Sequence, residues 1–286
     1  MKILVTGANG QLGQELQDLK EKYPAHQFYF FSHVELDIVN AEAVDHVFAE
    51  MLPDYCINCA AYTAVDKAES EQEQAFQINA QGVQNLASAS KKHNCRFIHI
   101  STDYVFPGNA DAPYFEEALT GPIGVYGASK LRGEVLCLDT YPDAVIIRTS
   151  WVFSSYGNNF VKTMLRLMPV KESLNIVGDQ QGCPTYAADL AAAILEIISS
   201  GKWQPGIYHY SNSEITNWHA FATAIKEHCG FSLPVNAITT DQYPTPAKRP
   251  AYSVLDTNKI RNTYAIQIRD WKEALAECLT KLNGKA

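Results

Sequence analysis

The sequence predicts an α/β protein built on a doubly wound parallel sheet, with a smaller, partly interwoven α/β lobe after it. Up to about residue 150, short apolar runs alternate with helical segments, and regularly spaced glycines follow the first run directly. The alternation breaks after Trp151. Apolar runs separated by helices indicate βαβ units whose strands are buried on both faces.

The elements follow one another in a regular order. The predicted strands are KILVT, FYFF, YCINCA, RFIHIS and AVIIRTS, and the helices between them are QLGQELQDLKEK, NAEAVDHVFAEM, EQAFQINAQGVQNLASASKK and VYGASKLRGEVLCLD. Residues 155–186 are loop-rich around the short helix FVKTMLRLM. The helix AADLAAAILEIISS, the strand GIYHYSN, the helix NWHAFATAIKEHC, the proline-rich loop DQYPTPAKRPAY and the helix WKEALAECLTKLN complete the chain.

Composition excludes several classes of protein. With 47% hydrophobic and 19% charged residues over 286 positions, a disordered or fibrous chain is excluded. Acids exceed bases by 31 to 23, for a net charge of -8, which argues against nucleic-acid binding. The start MKILVTGANG predicts neither a signal peptide nor a membrane anchor, so we expect a cytoplasmic protein. Seven cysteines without framework spacing fit a reducing compartment, and Cys56 and Cys59 are expected to be small buried side chains.

The glycines stand where a dinucleotide site needs them. Gly7, Gly10 and Gly13 lie in the T-G-x-x-G-x-x-G stretch TGANGQLG, between the first strand and the first helix. The first glycine permits the tight turn, the second lets the backbone approach a pyrophosphate, and the third lets the helix pack closely. We therefore predict a Rossmann-type dinucleotide-binding domain over residues 1–152, joined by parts of 185–212, and a substrate-binding lobe over residues 153–286.

The end of the second strand bears on the choice of cofactor. An NAD site usually has an acid there, but FYFF runs into Ser32 and His33. No arginine is supplied for a 2′-phosphate either, so the residues favour NADPH over NADH only slightly. Asp37 and Ile38 fall where a loop would cover the adenine, although Asp37 fits equally well as an acid at a helix start.

A helical tyrosine and lysine point to proton-transfer chemistry. Tyr126 and Lys130 are four residues apart on a predicted helix and so share one face. A nearby ammonium lowers the pKa of a phenol, so Tyr126 is a candidate acid for a developing alkoxide, and Lys130 could also hold a ribose. Upstream, Ser101, Thr102 and Asp103 end an apolar strand, at the edge where doubly wound sheets bind ligands.

These motifs resemble the extended short-chain dehydrogenase/reductase family. TGANGQLG, NCAAYT, STDYVF and YGASK occur in its order and spacing. INCAAYTAVDKAE, STDYVFPGN, YGASKLRGE, IRTSWVF, GNNFVKTMLRL, VGDQQGCPTY and YPTPAKRP resemble its dTDP-sugar reductases more narrowly, over almost the whole chain. The resemblance implies reduction of dTDP-4-dehydro-6-deoxy-L-mannose at C4 by hydride from NADPH or NADH. Tyr126 would then protonate the C4 oxygen, Lys130 would tune Tyr126 and bind ribose, and Thr102 would bind the sugar oxygen.

The predicted sites combine the pattern and the resemblance. The predicted cofactor site consists of Gly7, Gly10, Gln11, Leu12, Gly13, Ser32, Asp37, Ile38, Tyr126 and Lys130, to which the resemblance adds Ala60, Ala61, Tyr62 and Thr63. The resemblance also places Thr102, Asp103 and Trp151 at the sugar. The candidates for the diphosphate are Asn158, Asn159, Lys162, Lys248 and Arg249, with solvated surface positions as the alternative.

The resemblance also raises questions of metal, assembly and catalysis. Some members bind magnesium at a dimer interface; Glu15 matches their first acidic position, but Ala188 stands at the second, beside Asp189. We predict no metal site from the residues, and magnesium and a homodimer rest on the family alone. A reductase or epimerase for another nucleotide sugar is one alternative, although the stretch TDY lacks the following Glu of a dehydratase. A regulatory subunit that binds NADP without turnover is the other.

Overall fold

The computed structural model describes residues 1–284 and centres on a six-stranded sheet. The strands are β1 (Lys2–Thr6), β2 (Gln27–Phe31), β3 (Tyr55–Asn58), β4 (Arg96–Thr102), β5 (Val145–Thr149), β6 (Val152–Phe153), β7 (Leu174–Val177), β8 (Gln181–Gly182), β9 (Thr185–Tyr186), β10 (Gly206–Tyr210), β11 (Thr216–Asn217) and β12 (Val235–Ile238). The sheet order is β10-β5-β4-β3-β1-β2, and every neighbouring pair is parallel. The predicted parallel sheet is confirmed.

Helices connect and cover these strands. They are α1 (Gln11–Leu19), α2 (Ala41–Met51), α3 (Val65–Ala68), α4 (Gln72–Phe76), α5 (Gly82–Lys92), α6 (Val125–Thr140), α7 (Phe160–Leu167), α8 (Ala187–Ser199), α9 (Trp218–Cys229), α10 (Asn258–Tyr264) and α11 (Trp271–Asn283). One π turn, Gln77–Gln81, joins α4 to α5 within the segment predicted as a single helix. Within residues 1–284, no helix has both the length and the apolar character needed to cross a bilayer.

The sheet is buried on both faces, which explains its continuous apolar strands. Ile3 and Val5 on β1 pack into the cluster formed with α1 and α8. Leu4 points to the other face and packs into a second cluster with Val44 and Phe48 of α2 and residues of α5. Alternate side chains of each strand thus serve two separate helical layers, as a doubly wound sheet requires.

The second half of the chain forms a further core and also returns to the sheet. Residues of α7, α9 and α11 surround Phe153, Phe221 and Trp271 in a third cluster. The short pairs β7–β12, β6–β9 and β8–β11 lie in this half, in segments that the sequence assigned mostly to loops. Meanwhile α8 packs on α1, β10 extends the sheet beside β5, and α10 packs on β10. The division into two lobes stays a prediction.

Candidate active site

The carboxyl ends of the central strands meet at one edge of the sheet. Because β1, β3, β4 and β5 are parallel, Thr6 pairs with Asn58, Asn58 with His99, and Thr102 with Thr149. A cleft of about 680 Å³ opens at this edge, between the glycine turn and α6. Doubly wound sheets bind their ligands at this edge, so the cleft is the candidate site.

The glycine turn is closely packed against the sheet. Gly7 has a φ of +69°, and a Cβ there would lie 2.6 Å from the Ala60 nitrogen. A Cβ on Gly13 would lie 2.4 Å from the Gly7 carbonyl oxygen. Helix α1 follows Gly10 without any side-chain cap, so its amino end is open to an anionic group. The turn therefore has the shape and polarity that a pyrophosphate needs.

Most residues predicted for the cofactor line this cleft. They are Gly7, Gly10, Gln11, Leu12, Gly13, Ser32, Asp37, Ile38, Ala60, Ala61, Thr63, Tyr126 and Lys130. Tyr62 is not among the lining residues, which differs from the prediction. Its backbone N–H donates to the Asn79 side chain at 2.9 Å, and its hydroxyl donates to Glu71 at 2.5 Å. These bonds turn the Tyr62 ring away from the cleft towards the start of α4.

An acidic residue, Glu35, lies close to the end of β2. The backbone N–H of Ser32 donates to Glu35 Oε2 at 2.7 Å, and this hydrogen bond lowers the pKa of the exposed Glu35 carboxyl. Glu35 follows the strand by four positions, is exposed and is not among the residues that line the cleft. The prediction that the strand itself ends without an acid therefore stays a prediction, and Glu35 is an acid beside Ser32.

Tyr126 borders the cleft beside Thr102. Burial raises the pKa of Tyr126 to about 12, the Thr102 hydroxyl offsets part of the rise, and the charge of Asp103 adds to it. Thr102 Oγ1 donates to Asp103 Oδ1 at 3.0 Å and accepts from the Tyr104 N–H at 3.2 Å. A phenol with this pKa stays protonated at neutral pH and so has a proton to give.

Lys130 shares the helix face of Tyr126 but turns towards β4. Its Nζ donates to the Ile100 carbonyl at 2.7 Å and lies 3.4 Å from His99 Nε2. Burial lowers the pKa of Lys130 to about 8, while the charge of Glu134 acts in the opposite direction. The expected lowering of the Tyr126 pKa by Lys130 is not seen here, because other groups determine it.

Thr102, Asp103 and Trp151, which were predicted at the sugar, are not among the residues that line the cleft. Burial raises the pKa of Asp103 to about 7, against hydrogen bonds from Ser253 and Thr102. Trp151 has a φ of +48°, rare for a bulky residue, and its ring stacks on Trp218 with centroids 3.7 Å apart. Trp218 was missed by the sequence analysis, since an aromatic at a helix start is common.

Trp151 and Asp103 are linked through Gly182. A Cβ on Gly182 would lie 2.6 Å from the Trp151 ring and 2.9 Å from the Ser253 hydroxyl, which lies beside Asp103 and opposes the rise in its pKa. A larger side chain at residue 182 would displace both neighbours. Gly182 therefore joins Trp151 to Ser253, and Ser253 lies beside Asp103, whose charge acts on Tyr126.

The diphosphate candidates do not share one environment. Asn159 caps α7 through the Lys162 N–H at 3.1 Å and donates to Gln11 and to the Ser154 carbonyl, so its amide is occupied. This arrangement differs from the predicted role of Asn159. Asn158, the residue before it in the chain, lines the cleft. Arg249 forms a 2.8 Å ion pair with Asp66 at the start of α3. Lys162 lies close enough to Cys278 of α11 for its charge to oppose the rise in the pKa of that thiol.

Comparison with known proteins agrees with this arrangement. The family model described as RmlD substrate binding domain matches residues 1–283. The dTDP-4-dehydrorhamnose reductase of Aggregatibacter actinomycetemcomitans is 44% identical over 284 residues, covering 96% of this chain and 97% of that protein. The chain belongs to the dTDP-4-dehydrorhamnose reductase family.

Solved structures of the dTDP-4-dehydrorhamnose reductase family superpose closely. The Clostridium acetobutylicum protein gives a TM-score of 0.95 at 42% identity, covering 99% of this chain and 100% of that one. The Bacillus anthracis protein, solved in complex with NADP, gives 0.94 at 40% identity, covering 98% and 99%. The resemblance inferred from the motifs is thus confirmed for the family and the fold.

The magnesium position of the dTDP-4-dehydrorhamnose reductase family is occupied differently here. Glu15 is buried, accepts from Ser154 at 2.5 Å and forms a 2.7 Å ion pair with Lys281, which also contacts Asp18 at 2.7 Å. Asp189 pairs with Arg269 instead. Across residues 1–284, no group of three or more His, Cys, Asp or Glu side chains is arranged to hold a metal. An ammonium at this position does not fit a magnesium ion.

Proposed function

We propose that this protein reduces the C4 ketone of dTDP-4-dehydro-6-deoxy-L-mannose to give dTDP-L-rhamnose. The observation that carries the proposal is that Tyr126 and Lys130 line the same cleft as the glycine turn, with Thr102 beside Tyr126. Membership of the dTDP-4-dehydrorhamnose reductase family supports the choice of substrate. Family membership supports the choice of sugar, and the residues of the cleft support the reduction of a ketone.

Tyr126 is the proposed proton donor. With its pKa raised to about 12, the phenol keeps its proton until an alkoxide begins to form beside it. An alkoxide is the stronger base, so transfer from the phenol to the C4 oxygen is then favourable. Thr102, next to Tyr126, supplies a hydroxyl that can bond the same oxygen and fix the ketone in place.

The cleft fits a nicotinamide dinucleotide, which would supply the hydride. The Gly7 turn and the uncapped amino end of α1 would bind the pyrophosphate. Asp37 and Ile38 would lie at the adenine side, and Lys130 would reach the nicotinamide ribose, since all three line the cleft. These residues would bind and orient the cofactor.

NADPH is the cofactor that we propose, with a small preference over NADH. The NADP complex of the Bacillus anthracis relative supports this choice. The Glu35 carboxylate, bonded to the Ser32 N–H, would work against it, since a negative charge close to the 2′ position repels a phosphate and can bond a hydroxyl. We therefore expect the Glu35 carboxylate to keep the preference for NADPH over NADH small.

The sugar and diphosphate would lie on the far side of Tyr126. Trp151, held against Trp218, forms a flat wall for the sugar, and Asp103 provides a hydrogen-bonding carboxyl. Arg249, already ordered by Asp66, and Lys162 are proposed to bind the diphosphate. We further expect a cytoplasmic homodimer that binds neither nucleic acid nor membranes; the seven unpaired cysteines support a reducing compartment.

The test is loss of absorbance of NADPH, and separately of NADH, when dTDP-4-dehydro-6-deoxy-L-mannose is generated in the assay. Stoichiometric oxidation with this sugar, but not with other 4-keto nucleotide sugars, is the expected result. Oxidation with a different sugar alone would replace the substrate. Binding of NADPH without oxidation by any sugar would overturn the reductase and favour a regulatory subunit.

A further inference from the structure

A buried chain of hydrogen bonds runs beneath the cleft from β1 to α6. Thr6 Oγ1 donates to Asn58 Oδ1 at 2.7 Å, and the Ala60 N–H donates to the same oxygen at 3.1 Å. The Asn58 amide nitrogen lies 3.0 Å from His99 Nδ1, and His99 Nε2 lies 3.4 Å from Lys130 Nζ. Thr6, Asn58, His99 and Lys130 are all buried, so solvent cannot exchange for any of these partners.

The chain determines which nitrogen of His99 carries the hydrogen. Two donors bind Asn58 Oδ1, so the amide nitrogen faces His99 and donates to Nδ1. Burial holds the pKa of His99 well below its usual value, so the imidazole is neutral. Its one hydrogen therefore lies on Nε2 and points at Lys130 Nζ.

An ammonium fits that position poorly. A protonated Lys130 has three hydrogens and no lone pair, so it would face the His99 N–H donor to donor. A neutral amine donates to the Ile100 carbonyl at 2.7 Å and accepts from His99 Nε2–H with its lone pair. Every donor in the chain then has an acceptor, as buried polar groups require.

We propose that His99 is a positioning residue that favours the neutral amine of Lys130 in the free protein, so that at alkaline pH cofactor binding is accompanied by proton uptake at Lys130. The inference rests on the proposed function, in which Lys130 moves to the hydroxyl oxygens of the ribose. Those oxygens accept hydrogen bonds and favour the ammonium. His99 thereby couples the protonation of Lys130 to the presence of the cofactor.

The other charged groups around Lys130 do not remove this coupling. Glu134, one turn further along α6, favours the ammonium, but its carboxylate forms a 2.7 Å ion pair with Arg148 of β5 and accepts from Ser101. Cys59, after β3, also faces Lys130, and burial raises its thiol pKa so that it stays uncharged. Burial lowers the pKa of Lys130 to about 8.

The sign of the pH dependence follows from these directions. In the free protein the pKa of Lys130 is low, and in the complex it is higher, so binding takes up a proton above the free pKa. Cofactor affinity should be full below about pH 8 and should fall up to about tenfold per pH unit above it. Without the His99 N–H, the fall should begin at higher pH.

The histidine tautomer can be measured without any cofactor. We would record ¹⁵N NMR spectra of the imidazole nitrogens in the full chain and identify His99 by the signals lost in His99→Gln. The expected result is a neutral ring protonated at Nε2. A ring protonated at Nδ1, or at both nitrogens, near neutral pH would overturn the proposal.

The coupling is tested by calorimetric titration with NADPH in two buffers of different ionisation enthalpy, at about pH 9. Wild type should take up roughly half a proton or more per site. In Asn58→Asp the new carboxylate would accept a hydrogen bond from Nδ1–H of His99. Nε2 of His99 would then be an acceptor for the Lys130 ammonium. Proton uptake on cofactor binding should therefore fall in Asn58→Asp and in His99→Gln. His209→Gln, at a buried histidine bonded to the Tyr114 carbonyl at 3.1 Å, is the matched control and should behave as wild type.

The outcomes separate the coupling from the proposed function. Equal proton uptake in wild type, Asn58→Asp and His99→Gln, with NADPH still bound, would overturn the coupling alone. Failure of wild type to bind NADPH would contradict the proposed function, and the tautomer measurement would then decide the role of His99. Folding of each variant is checked by its thermal transition, and Asn58→Asp provides a second variant should His99→Gln fail to fold.

Discussion

The two sides of the cleft differ in how their residues reach it. On the cofactor side, Gly7, Ser32 and Ala60 follow strand ends directly, and the parallel sheet alone brings them together. On the proposed substrate side, Arg249 comes from a loop of the second half and is held by its ion pair with Asp66 of α3. A parallel sheet positions one set of residues by topology, whereas tertiary packing has to position the other.

The largest effect should come from Tyr126, which lies where the two sides meet. Tyr126→Phe removes the only proposed proton donor, so turnover should fall about 10²-fold or more while NADPH affinity stays nearly unchanged. Steady-state kinetics and a binding titration measure the two quantities. Tyr104→Phe is the matched control, since its ring meets Tyr126 edge-on at 5.5 Å. Wild-type turnover in Tyr126→Phe would assign the proton to another group.

Asp103, on the substrate side, should make stability depend on pH. Its pKa in the folded protein is raised to about 7, so its favourable contribution is present below about pH 4 and is lost as the pH rises through 7. Asp103→Asn should therefore gain stability relative to wild type between pH 5 and 8, by an amount on the order of a few kcal/mol. Urea unfolding at both pH values measures it. A difference that is constant with pH, as expected for the exposed Asp111→Asn, would contradict the buried acid.

Arg249 tests whether the substrate side binds phosphate. Arg249→Ala should raise KM for the dTDP sugar about tenfold or more, because a charge-assisted contact is lost, and should leave NADPH affinity unchanged. Lys248→Ala, at the exposed neighbouring position, should have a smaller effect. An equal loss of NADPH affinity would instead mean that the Asp66 ion pair supports the cofactor side.

The sequence predicted the cofactor side of the cleft better than individual side-chain positions. Strand periodicity and the glycine spacing were enough for the sheet, and with it for the position of the cofactor cleft. Tyr62 and Asn159 were assigned from motif position, but hydrogen bonds to Asn79 and Gln11 direct them elsewhere. The chain through His99 was not predicted either, because partners on four separate elements meet only after folding. Such side-chain networks have no local sequence signal.

Two neighbouring asparagines differ in what they do: Asn158 lines the cleft, and Asn159 caps α7. Asn159→Ala removes the cap of α7 and should lower the free energy of unfolding by about 1 kcal/mol, measured in urea. Asn158→Ala removes a residue of the cleft wall and should weaken cofactor binding with little change in stability. If both variants lost only stability, Asn158 would have no role in binding.

The smallest effect is expected at Glu35, where the cofactor side itself departs from the strand-end rule. Glu35→Gln removes a negative charge beside Ser32, which lines the cleft, but keeps an acceptor for the Ser32 N–H, so the turn should be preserved. The ratio of kcat/KM for NADPH to that for NADH should rise at most a few-fold, because the side chain is exposed and its field is screened. Glu42→Gln, an exposed acid in the first turn of α2, is the control. An unchanged ratio would mean that the Glu35 carboxylate is too far from the ribose to act, and that the cofactor side chooses its ligand through the backbone alone.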